Sequence, residues 1–379
     1  MTRLLRFADE HYLAVPIGAA VAIVWANTGA YSYFQISRAL SFAVNDVGMA
    51  FAFAFLAQEV VEAMLPGGTL HPWTRAAVPI VAAVGGIVGA VALYVFYIRS
   101  GDETNLLAGW PIAAAVDIAF AYFIAASVFR RGAAVTFLLL LAIASDAIGL
   151  VIVSYRFPVL TVHPAAAALL IPALWGAAVL RKNAVHSVWP YVLVCGTLSW
   201  FAFYWTGVHP ALSLLPIVPF LPHAARDLNP LADPARGRHK SAAHFEAVFR
   251  YPVQVIAFLF AFVNSGVSIR AFDDGTWAVL LAALIGRPLG IAIAAALAVS
   301  GGLELPRRVG GRELAVIALA ASSSFTFGLF FATAVFPVGP LQNQTKMGAI
   351  ATAAGALLVI GAARGLRVGR FAPDASHST

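Results

Sequence analysis

The sequence predicts an all-α polytopic membrane protein of about twelve spanning helices, and three observations predict it. Hydrophobic residues make up 61% of the 379-residue chain and charged residues only 11%, against roughly 45–50% and about 25% in soluble domains. The apolar residues recur in runs of ~20, the length a helix needs to cross a bilayer. Within runs such as Pro79–Tyr97 and Gly348–Ala363 they are continuous. That excludes the ~10-residue apolar/polar alternation of a transmembrane barrel.

Hydropathy and breaker residues place the spans at 13–30, 44–65, 77–98, 111–129, 133–154, 161–180, 188–206, 209–221, 251–269, 276–300, 314–336 and 345–363. The start is basic, but no small-residue cleavage site follows, so the first run reads as a retained span. The eighth is short for a full crossing and is expected to be tilted, extended or partly inserted. With the N-terminus inside, eighteen of the 24 Lys and Arg residues fall on inner segments. Only Arg38, Arg99, Arg156, Arg270 and Lys346 fall on outer segments and span ends, and Arg287 lies within a span. This asymmetry predicts cytoplasmic termini in a bacterial-type inner membrane. Residues 223–250 read as a cytoplasmic linker loop between two halves of a single membrane domain.

Because the net charge of +7 sits in the loops, it is no nucleic-acid signal, and the expected partners are membrane lipids. Cys195 stands alone, which rules out a disulfide framework, and no cofactor is expected. Neither it nor the scattered histidines show metal-ligand or triad spacing, so an enzyme is not expected. His209, in GVHPAL, reads as structural.

Charges inside spans are costly and mark function by default. Glu59, Asp117, Asp146 and Arg287 stand out, with Asp46 a weaker fifth. Asp146 lies mid-span in LLLLAIASDAIGLVIV with no basic residue within a turn. Such a carboxylate holds either a proton or a cation, the property a carrier needs; the competing reading is a protonated Asp gluing helices together. Asp117 follows Gly109 and Pro111 in GWPIAAAVDIAFAYF, the pattern of a broken helix whose free N–H groups favour a carboxylate. Arg287, between Gly286 and Pro288, stays charged and so needs a carboxylate or helix C-terminal carbonyls beside it. For both, a purely structural counter-charge is the alternative. A second broken helix is expected at ASSSFTFGLF, where Ser322, Ser323, Ser324 and Thr326 can satisfy unwound backbone, or else pack helices. The two candidate breaks occupy matching places in three-span units at 77–154 and 276–363 that start on opposite sides of the membrane. Such inverted repeats point to a midplane transport site.

The segments WANTGAYSYF, VNDVGMAFAFAFLAQEV, VDIAFAYFIAASVF, GVHPALSLLPIVPFLP, YPVQVIAFLFAFVNSGVSI, LIGRPLGIAI and FTFGLFFATAVF resemble, in order, segments of the NhaA sodium/proton antiporter family. The resemblance implies inverted repeats, two discontinuous helices and exchange of Na⁺ or Li⁺ for H⁺. In that family two adjacent carboxylates on the fifth span act with a lysine on the tenth and an Asp on the broken fourth. Asp146 resembles the second carboxylate and Asp117 the fourth-span Asp, while Glu59 falls on an acidic position tied to pH response. This chain departs from the pattern at Ser145, at Arg287 and at Val116, where the family has the first carboxylate, the lysine and a Thr. With one proton-carrying group in place of two, the expectation is an electroneutral, one-for-one exchange centred on Asp146. The alternatives are a carrier of K⁺ or a small organic anion, or a non-transporting sensor or assembly protein on the same fold. The resemblance also implies a homodimer joined through an outer β-hairpin, for which Gly29–Ala43 leaves little room.

Overall fold

The computed structural model describes residues 14–65, 70–129, 132–156, 163–222, 242–267, 271–306 and 309–372. The side chains of Glu59, Thr326 and residues 242–250 are not among those described. Every regular element among the described residues is helical. α1 spans Ala14–Thr28, and α2, Ala30–Ser41, continues through a π turn at Phe42–Gly48 into α3, Met49–Met64. α4 spans Trp73–Ser100; the short α5, Trp110–Ala114, is followed by α6, Ile118–Phe129, and α7, Ala133–Arg156. Beyond lie α8, Leu170–Lys182, then a π turn leading into α9, Thr197–Thr206, and α10, Ala242–Asn264. α11, Asp274–Leu281, passes through a π turn at Ala282–Gly286 into α12, Arg287–Ser300. α13, Gly311–Ala320, and α14, Phe325–Val335, precede α15, Pro340–Ala351, and α16, Gly355–Gly365, which flank a 3-10 turn at Thr352–Ala354. Six helices among the described residues are long and apolar enough to cross a membrane. Shorter apolar helices include α1 and Tyr251–Asn264.

Three expectations change. Gly29–Ala43 is not a loop that could form a hairpin, because α2 fills it and runs on toward α3. Its polar residues alternate with Tyr31, Tyr33, Phe34 and Ile36, and Tyr33 turns inward to donate its hydroxyl to Phe262 O at 2.6 Å. The eighth expected span is no α-helix but two 3-10 turns, Pro210–Leu212 and Val218–Phe220. Pro210, Pro216 and Pro219 interrupt the α-helical ladder. Irregular backbone is tolerated at membrane depth only where protein covers it, and residues 210–214 are buried throughout. Finally, α10 begins at Ala242, so 242–250 is helix and not linker; 223–241 lies outside the described residues.

One helix pair fixes the position of everything at the site. α4 and the α11–α12 span are antiparallel: Arg75 meets Glu304 at 3.0 Å at one end, and Tyr97 donates to Asp274 at 3.2 Å at the other. Between these ends the backbones touch. A Cβ on Gly89 would lie 2.3 Å from Gly286 O, and one on Gly290 would lie 2.1 Å from Gly85 O. Both helices thus present glycines four residues apart, the small-residue spacing that lets spans approach without a side chain between them. Arg287, next to Gly286 and directly after the π turn, is aimed by this seam.

Candidate functional site

The site is assembled where two interrupted helices cross. After α5 the backbone turns extended at Ala115 and resumes helix at Ile118; after α13 it opens at 321–324 and resumes at Phe325. The two openings hydrogen-bond to one another. Asp117 N–H donates to Ser323 O at 2.8 Å, and the Ser324 hydroxyl donates to Ala115 O at 2.5 Å. Ala115, Val116, Asp117, Ser322, Ser323 and Ser324 are all buried.

Four helix ends therefore meet in one place, and the side chains match their polarity. The C-terminal ends of α5 and α13 carry partial negative charge. Arg287, 1% exposed, donates one guanidinium nitrogen to Ala321 O at 3.0 Å and another to Ala113 O. Of the two partners expected for it, the structure supplies the carbonyls. The N-terminal end of α6 carries partial positive charge and is closed by Asp117, whose carboxylate accepts from Phe120 N–H at 2.9 Å and whose carbonyl accepts from Ala121 N–H at 2.8 Å. The start of α14 has no carboxylate; Ser324 N–H there donates to the Thr352 hydroxyl at 3.0 Å.

Asp146 reaches this crossing from the middle of α7 and is fully buried. Its Oδ1 accepts from Val116 N–H at 2.9 Å, while its Oδ2 is buried without a hydrogen-bond partner. A buried carboxylate oxygen left unpaired is costly and calls for a proton or a cation. The Ser323 hydroxyl is also buried and unpartnered, and Ser145, beside Asp146, is 2% exposed. These hydroxyls, the break carbonyls and Oδ2 are oxygen donors, the kind hard cations accept. No group of three or more His, Cys, Asp or Glu side chains is positioned for a metal among the described residues.

The structure thus brings together Asp146, Asp117, Val116, Arg287, Ser323 and Ser324, and Ser145 is buried next to Asp146 on α7. Glu59 and Thr326 are in α3 and α14, but their side chains are not described. Sequence reasoning missed Thr352, whose only signal is a lone hydroxyl in the apolar run AIATAAGA. Asn45 and Asn264 were missed as well, while Asp46 and His209, which the sequence singled out separately, lie beside each other. Asn264 and Asn45 join side-chain amides at 2.9 Å, and His209 Nε2 lies 3.9 Å from Asp46 Oδ1. His209 Nδ1 accepts from Ala211 N–H at 3.2 Å and so caps the first 3-10 turn, while its ring meets Phe330 edge-on at 5.0 Å.

Comparison with known proteins follows the same lines. Residues 12–363 match the family described as Na⁺/H⁺ antiporter 1. The chain is 38% identical to the Na⁺/H⁺ antiporter NhaA 1 of Pelobacter propionicus, over 98% of this chain and all of that protein. It is 37% identical to the Na⁺/H⁺ antiporter NhaA of Geotalea uraniireducens, over 92% of this chain and 93% of the relative. With the NhaA antiporter of Desulfitobacterium hafniense it shares 35% identity over 94% of each chain. The chain belongs to the Na⁺/H⁺ antiporter 1 family, which is a family of membrane transporters and not of enzymes.

Proposed function

We propose that this chain exchanges Na⁺ or Li⁺ for H⁺ by alternating access, with Asp146 as the one group that holds either the proton or the cation. The family and its NhaA-named relatives make the chain a Na⁺/H⁺ antiporter. The observation that supports the finer reading is the split environment of Asp146. One carboxylate oxygen is held by Val116 N–H and the other is buried and unpartnered. Protonation satisfies Oδ2 in one state, and a bound cation satisfies it in the other. Ser145, Ser323 and carbonyls from the two breaks are the remaining oxygen donors for the cation, and Glu59 belongs to the pH response.

The rest of the charge in the crossing stays fixed. Arg287 keeps its proton and is committed to two carbonyls; Asp117 is committed to the α6 N-terminus. One titrating group implies one proton per Na⁺, an electroneutral exchange. The two carbonyls compete with an organic anion for Arg287, which argues against one as substrate. The proposed setting is a bacterial inner membrane with both termini cytoplasmic. It has twelve spans, in which 77–154 and 276–363 form inverted repeats within one domain, and membrane lipids surround the chain.

Proton movement in proteoliposomes on adding Na⁺, Li⁺ or K⁺, wild type beside Asp146→Asn, tests this reading. Na⁺-driven proton release that vanishes in the variant supports it, and undiminished release sinks it. A rate that follows an imposed membrane potential would overturn the one-for-one stoichiometry.

A further inference from the structure

One peptide unit beside Asp146 has both of its polar groups engaged. The amide joining Ala115 to Val116 donates its N–H to Asp146 Oδ1 at 2.9 Å and accepts the Ser324 hydroxyl on its C=O at 2.5 Å. Hydrogen bonds in series polarise one another, strengthening each by about 10–30%. Ser324 is in turn held from a third element. Its N–H donates to Thr352 Oγ1 at 3.0 Å, and the Thr352 hydroxyl donates to Ala349 O at 2.6 Å. Thr352 is fully buried and stands on the 3-10 turn that interrupts the last long helix. A continuous chain of hydrogen bonds therefore runs from that turn, through Ser324 and the 115–116 peptide, to the carboxylate.

We propose that Ser324, held by Thr352, is a positioning residue that sets the balance between proton and cation at Asp146 by polarising the 115–116 peptide. The proposal rests on Asp146 being the shared site. A hydrogen bond donated to the carboxylate favours its charged form, and a hydroxyl on the far side of the same peptide makes that N–H a better donor. The arrangement thus favours release of the proton and capture of the cation. The charged groups acting on Asp146 are Arg287, from the α11–α12 span, and Asp117, from the break before α6. Neither is part of the chain of bonds. Other titratable groups on the helices packed against α7 are Glu59 and Glu62 on α3, Arg75, Tyr94, Tyr97 and Arg99 on α4, Tyr122 on α6, and Arg312 and Glu313 on α13. α14 carries no titratable residue.

The test is the pH dependence of Na⁺-driven proton release in proteoliposomes for wild type, Ser324→Ala, Thr352→Val and Thr352→Ser, with Asp146→Asn as the silent control. Ser324→Ala is expected to move the midpoint roughly 0.3–0.5 pH units toward alkali. Below the midpoint its KM for Na⁺ should rise about two- to threefold, the same shift expressed as a ratio. The maximal rate at alkaline pH should be retained. Thr352→Val, which keeps the shape and loses the hydroxyl, should shift in the same direction by less, and Thr352→Ser should restore the wild-type midpoint. A uniform loss of rate at an unmoved midpoint, or no change at all, overturns the proposal. If Ser324→Ala fails to fold, the Thr352→Val and Thr352→Ser pair decides by itself. Should Asp146→Asn still transport, it is the shared-site reading that fails; an unmoved midpoint with a silent control condemns this inference alone.

Discussion

The two helix breaks at the crossing do the same geometric job with different chemistry. At 115–117 the resuming helix is closed by the Asp117 carboxylate; at 321–324 it is closed by serine backbone and a threonine borrowed from the last helix. Arg287 serves both breaks at once, through Ala113 O and Ala321 O. One break thus carries a formal charge and the other carries none. Asp117 and Arg287 carry one formal charge of each sign, and on the proposed reading Asp146 is the charge that changes.

The comparison can be broken at Arg287 first. Arg287→Met strips the donors from both breaks and leaves the buried carboxylates uncompensated, with an expected loss of about 3–5 kcal/mol. Thermal unfolding in detergent should show the largest drop of any variant here, and transport should cease. Arg287→Lys keeps the charge but not the fork that reaches two carbonyls; it should fall between Met and wild type.

The glycine seam tests whether the breaks depend on a common support. In Gly89→Ala the new Cβ meets Gly286 O at 2.3 Å, and overpacking of this kind costs about 1–3 kcal/mol. Gly361→Ala, with no atom within 4 Å of the new carbon, should be neutral or slightly stabilising in the same melting assay. Equal loss in the two variants would mean that the seam does not support the site.

At the charged break, Asp117→Ala removes the helix cap as well as the charge and should cost about 1–2 kcal/mol. Asp117→Asn keeps a cap for Phe120 N–H, so the difference between the two isolates capping from charge. The smallest effect is expected far from either break. Arg75→Ala loses an ion pair whose side chains are 18% and 63% exposed, and such pairs contribute about 0–1 kcal/mol. A shift in melting beyond that range would show that the end of the seam is more tightly coupled to the site than its exposure implies.

Much of this was legible in the sequence because the bilayer sets a length and penalises charge. The long apolar runs, and Asp117, Asp146 and Arg287 within them, stood out on those grounds. Gly109 and Pro111 signalled the first interruption, and Ser322, Ser323 and Ser324 the second. What stayed hidden depended on backbone groups, which every residue has and no sequence distinguishes. The partners of Arg287 are carbonyls, and the donor to Asp146 is the N–H of Val116, whose side chain gave no hint of it. Thr352 looked like one polar residue in a span of alanines. The α2 helix was misread as a loop because its polar residues broke the apolar run, although their spacing is compatible with a helix partly facing water.

The π turns have a consequence for reading such spans at all. Each π turn typically carries one residue more than an α-helix of the same rise, and an α-helix advances ~100° per residue. A helical wheel drawn straight through 274–300 is therefore out of phase by about one position beyond Gly286, and it assigns Arg287 to the wrong face. The same phase slip occurs at Phe42–Gly48, just before α3, and at Tyr191–Gly196, before α9.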